Sequence, residues 1–66
     1  MNDKQVATAM ETIVAALIER GCDPYAQLTG YITENEPIYI TNHKGARQLI
    51  VKIDMECVKR CVKEMR

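Results

Sequence analysis

Tryptophan and phenylalanine are absent from this chain, and three tyrosines are its only aromatic residues. A core must therefore be assembled from aliphatic side chains, methionine and tyrosine. Histidine occurs once and cysteine three times. With one His and no Cys-x-x-Cys pair, a closed tetrahedral zinc site is not expected. Cys22, Cys57 and Cys61 are an odd set and cannot all pair within one chain, which removes a disulfide framework. The three glycines, Gly21, Gly30 and Gly45, are scattered, so no glycine-rich loop is present to cradle a phosphate. No apolar run approaches the ~20 residues that a membrane-crossing helix needs. The first fifteen residues include Asp3, Lys4 and Glu11 and do not read as an export signal. Free thiols without such a signal point to the cytoplasm.

Excess charge of one sign is missing as well. The formal net charge of the 66 residues is zero, but its distribution is uneven. Residues 1–36 carry Asp3, Glu11, Glu19, Asp23, Glu34 and Glu36 against Lys4 and Arg20, a balance of −4. Residues 37–66 carry Lys44, Arg47, Lys52, Lys59, Arg60, Lys63 and Arg66 against Asp54, Glu56 and Glu64, a balance of +4. A bipolar chain suits self-association. It also offers one basic surface to an anionic partner, although two solvated faces of opposite sign explain the pattern equally well.

What is present is amphipathic helix. Val6, Met10, Ile13, Val14, Leu17 and Ile18 recur at helical spacing, with Asn2 or Asp3 as cap and Gly21 as stop. Asp23-Pro24 reads as cap and first residue of a second helix, with Tyr25, Leu28 and Ile32 on one face and Gly30 as a weak spot. Asn35-Glu36-Pro37 ends it. Ile38-Tyr39-Ile40 is expected as an extended linker, with a short strand across a two-fold dimer as the alternative. Thr41 or Asn42 opens a third helix with Ala46, Leu49, Ile50 and Ile53 inward, although Gln48 to Ile53 also has the composition of a strand. Asp54 caps a fourth, carrying Val58, Cys61, Val62 and Met65 on one face. The expected architecture is one all-α domain over 1–66, with four short helices and a Pro-containing connector. A chain this short buries only roughly 60% of its unfolded surface. Without disulfides, association is the natural way to extend the core, so a helical homodimer is expected.

Chemistry finds little footing. Cys22 lies beside Asp23, which disfavours a thiolate, and Cys57 and Cys61, four apart, read as small core residues. No catalytic, metal-binding or cofactor-binding residue is assigned. A small nucleic-acid-binding dimer using the basic C-terminal half is the rival reading, weakened by a second helix whose outward face offers Gln27 and little else. The unusual residues concentrate instead in GYITENEPIYITNHKGAR, Gly30 to Arg47. There Pro37 shapes the backbone, Tyr31 and Tyr39 are expected to fill a seam between copies, and His43 and Arg47 to bond locally.

The order Gly21, Pro24, Gln27-Leu28, Gly30-Tyr31, Pro37, Tyr39-Ile40, His43, Ala46-Arg47, Ile50 and Lys52 resembles the central signature of the IreB-like family. These are small regulatory proteins of low-GC Gram-positive bacteria, and the similarity runs from about Val14 to Val62. The resemblance implies a helical homodimer without enzymatic activity. It also implies a cytoplasmic regulator linked to a transmembrane Ser/Thr protein kinase of the PASTA type, and to cell-envelope stress and β-lactam tolerance. Family members are phosphorylated on threonines in a flexible N-terminal extension. This chain begins almost at its first helix, and Thr8 and Thr12 on that helix do not match those sites. Cys22 stands where the family usually has an aromatic residue, and Thr41 where proline is common.

Overall fold

A computed structural model describes residues 1–65. Four α-helices follow in order: α1 Asp3–Glu19, α2 Pro24–Glu34, α3 Ala46–Ile50 and α4 Met55–Glu64. Two single 3₁₀ turns, Pro37–Tyr39 and His43–Gly45, lie between α2 and α3. No strand occurs among the described residues. Ile38-Tyr39 is therefore a 3₁₀ turn with extended residues Glu36 and Ile40 on either side, and Gln48 to Ile53 is helix followed by turn.

The helix ends are set by local chemistry. Asn2 closes a capping box: its Oδ1 accepts from the Gln5 N–H at 2.8 Å, and Gln5 Oε1 accepts from the Asn2 N–H at 3.0 Å. After α1, Gly21 takes a left-handed φ of +86°. The Gly21 N–H then reaches the Ile18 carbonyl at 2.9 Å and the Cys22 N–H reaches that of Leu17 at 2.8 Å. These two bonds form a Schellman stop. Asp23 Oδ1 accepts from the N–H groups of Tyr25 and Ala26, with Pro24 at the first helical position, so α2 starts where the sequence places it. Asp54 caps α4 through the Glu56 N–H at 3.0 Å.

The third helix departs from the sequence expectation. It begins at Ala46, later than Thr41 or Asn42 would set it, and neither side chain caps it. Lys44 (φ +54°) and Gly45 (φ +75°) stand in the left-handed region and break the helical path just before it. Thr41 Oγ1 instead accepts from the His43 N–H at 3.4 Å, a local turn contact. Ile53 is buried as expected, from the turn that follows the helix.

α1 packs mainly on α3, and α2 mainly on α4, with contacts from α1 to α2 and α4 joining the two pairs. One core results, centred on Ile13, Leu17, Leu28, Ile40, Ile50 and Val58, all without exposed surface. No polar or charged side chain is buried among the described residues.

Candidate functional site

The connector from Glu36 to Gly45 gathers most of the residues that the sequence singles out. Its central peptide unit is anchored on both sides. The Ile40 carbonyl accepts from Arg47 Nε at 2.9 Å, and the Thr41 N–H of the same unit donates to Gln27 Oε1 at 3.1 Å. The Ile40 side chain is fully buried between these anchors. The turn just before it faces outward: Ile38 is 71% exposed and Tyr39 46%. Pro37, half-buried, starts that turn with its φ already fixed.

Gly30 explains how Tyr39 sits. A Cβ at position 30 would lie 3.3 Å from Tyr39 Cδ1, closer than ordinary van der Waals contact. The glycine that weakens α2 by propensity thus makes a seat for the tyrosine ring. Tyr31, expected in a seam between copies, is buried in the core of the single chain.

The far end of the connector is tied to α1. Glu19 Oε1 lies 3.0 Å from His43 Nε2, and Glu19 Oε2 is 3.0 Å from Lys44 Nζ. For the first contact to be a hydrogen bond, Nε2 must carry the hydrogen. His43 and Arg47 therefore do not bond to each other: one reaches back 24 residues to α1 and the other seven residues to Ile40. The hydrogen bonds from His43 and Lys44 hold the Glu19 carboxyl below its ordinary value of 4.5. A folded-state pKa below the unfolded one means that the unfolded chain binds its proton first as pH falls. This contribution to stability is full above about 4.5 and disappears as pH drops through the lower folded value. Between pH 5 and 3, Glu19→Gln is expected to melt with a shallower pH dependence than the parent. A parallel pair of curves in thermal denaturation would refute the tie.

The thiols lie elsewhere. Cys57 Sγ accepts from Arg60 Nη2 at 3.5 Å. Burial, followed by the nearby Glu64, pushes the Cys61 thiol up. No cluster of three or more metal-ligating side chains occurs among the described residues.

Glu19, Gln27 and Lys44 complete the connector and carry no sequence signal for that role. Gln27 is noticed as an outward polar group on α2 and as part of the family signature, neither of which points to the Thr41 N–H. Glu19 meets its partners across 24 and 25 residues, a separation that helical periodicity does not report.

A family model described as IreB regulatory phosphoprotein matches residues 1–65. A curated relative, the UPF0297 protein of Lachnoclostridium phytofermentans, is 41% identical over 51 residues. That alignment takes in 77% of this chain and 58% of the relative, so the chain spans well under two-thirds of that protein's length.

Proposed function

Because the chain belongs to the IreB family of regulatory phosphoproteins, we propose that it is a non-enzymatic regulator that works as a homodimer in the cytoplasm and acts by protein–protein contact. The partner class is a Ser/Thr protein kinase of cell-envelope stress signalling, as the family resemblance implies. The observation that carries the reading is the connector. An exposed Ile38–Tyr39 pair is displayed on a backbone whose inner side is fastened by Arg47 and Gln27. A rigid support lowers the ordering cost of binding, and exposed apolar side chains supply the contact. Pro37 and Tyr39 meet the partner directly. Tyr31, His43 and Arg47 serve the site by holding it: Tyr31 in the core, His43 on α1, and Arg47 on the Ile40 carbonyl.

No helix among the described residues is long and apolar enough to cross a membrane, which fits a regulator that reaches a membrane kinase from one side. The test is titration of the protein into the purified cytoplasmic domain of such a kinase from the same cell. The double variant Ile38→Ser/Tyr39→Ser is expected to bind at least about tenfold more weakly, the loss of roughly 1.4 kcal/mol that one good apolar anchor supplies. Equal binding by parent and variant moves the contact elsewhere. Absence of binding by the parent removes the kinase from the reading.

A further inference from the structure

From Gly21 to Asn42 the chain carries Asp23, Glu34 and Glu36 and neither Lys nor Arg. Asp23 is used within the fold, where its carboxylate caps α2. Glu34 and Glu36 are not. Both are exposed, and among the described residues neither carboxylate has an ion-pair or hydrogen-bond partner. Glu34 sits in the last turn of α2, which has no basic residue. A negative charge there opposes the helix dipole, so the fold gains nothing from it.

These two acids flank the exposed apolar turn. Gly30 and Glu34 are four apart on α2 and share one of its faces. The ring of Tyr39 lies over Gly30, which puts Glu34 one helical turn from it. Glu36 precedes Pro37, and its carbonyl accepts from the Tyr39 N–H at 3.2 Å. Ile38 and Tyr39 therefore form an apolar projection with unneutralised acid on its border.

We infer that the Ile38–Tyr39 turn docks on a partner protein whose contact surface is apolar and rimmed by Lys and Arg, with Glu34 and Glu36 pairing to that rim. The inference rests on the reading of the connector as a protein-contact site and adds the chemistry that the partner must carry. Interfaces commonly join an apolar centre to a polar border. Charge of one sign on the border steers the encounter and selects the partner. The same charge argues against other occupants. A nucleic-acid backbone or an anionic lipid surface is repelled by it. A second copy meeting this patch about a two-fold axis would set Glu34 and Glu36 against their own counterparts.

The probe is a synthetic amphipathic helical peptide with a leucine stripe bordered by arginines, beside a twin with glutamates in place of the arginines. Each is titrated into the isotope-labelled full chain and followed by amide chemical shifts. The arginine peptide is expected to bind with shifts centred on residues 34–39, and the glutamate twin to leave them unmoved. Raising the salt from about 50 to about 300 mM is expected to weaken binding at least about threefold, as exposed charges become screened. Glu34→Gln/Glu36→Gln is expected to weaken it at least about threefold at the lower salt, and Ile38→Ser/Tyr39→Ser at least about tenfold. The glutamine variant is expected to melt no lower than the parent, because it removes charge that opposes the α2 dipole. Absence of binding, shifts centred instead on α1 around Glu11 and Glu19, equal binding of the two peptides, or a glutamine variant that binds as the parent does each overturns the inference. So does a glutamine variant that melts lower, since the acids would then serve the fold. No kinase enters this titration, so its failure is distinct from the failure of the kinase reading.

Discussion

Ile40→Ala is expected to lower the stability by about 2–5 kcal/mol, while Ile38→Ala, two residues earlier, leaves it within about 0.5 kcal/mol of the parent. Both are isoleucines of one connector, and the sequence treats them alike. The structure does not: Ile40 has no exposed surface and Ile38 has most of its own in water. Truncating a buried isoleucine to alanine costs about 2–5 kcal/mol, because the lost methylene groups leave a cavity that the surroundings only partly fill. At about 0.05–0.15 kcal/mol per residue, a chain this short has only about 3–10 kcal/mol to lose. Ile40 belongs to the same core cluster as Leu28, Ala46 and Ile50, and α2 and α3 both pack on the turn just before it. Urea denaturation followed at 222 nm reads the difference. Equal midpoints for the two variants would mean that the connector is not anchored by Ile40.

Arg47→Met is expected to cost about 1–3 kcal/mol, since it leaves the Ile40 carbonyl without its donor while keeping most of the apolar stem. Arg47→Lys does not restore it in full. The bond comes from Nε, at a fixed place along the guanidinium stem, and an ammonium at the end of a flexible chain does not reproduce that geometry. Gln27→Ala removes the other anchor, at the Thr41 N–H. Both anchors hold one peptide unit, so their losses are coupled. Once either is gone the segment is looser, and the second substitution costs less than it does alone. A double-mutant cycle in urea measures this as a coupling energy of at least about 0.5 kcal/mol. Strict additivity would show that the two bonds act on independent pieces of the chain.

The helix starts were legible because they rest on contacts within three residues. Asn2 with Gln5, Asp23 with Pro24, and Asp54 each declare a helix start in the sequence. Gly21 declares a stop in the same local way. Periodicity gave Val6, Met10, Ile13 and Leu17 on α1, Val58 and Val62 on α4, and Leu28 as buried, but Ile18 and Met65, expected on the same faces, are exposed. The third helix was legible only in part. Lys44 in the left-handed region is not announced by its residue type, since lysine seldom takes that conformation. The contact that its side chain makes there, with Glu19, comes from far along the chain. His43 and Arg47 were expected to bond locally, but a helix starting at Ala46 puts His43 outside the helical period altogether. Gly30 read as a defect in α2 until the ring of Tyr39 was placed over it. The candidate site is thus a product of ties across 7, 14, 24 and 25 residues, and single-sequence periodicity reports none of them.

Apart from the Tyr31 hydroxyl, the buried side chains of the described residues are hydrocarbon and thioether, with no donor or acceptor that punishes a wrong neighbour. Shape is their main arbiter, and shape tolerates exchange among aliphatic residues of similar volume. The inside of this protein is therefore its most replaceable part, free to change its vocabulary while keeping its bulk. What makes the molecule itself lies near the surface, in a few polar ties that fasten one bend of chain.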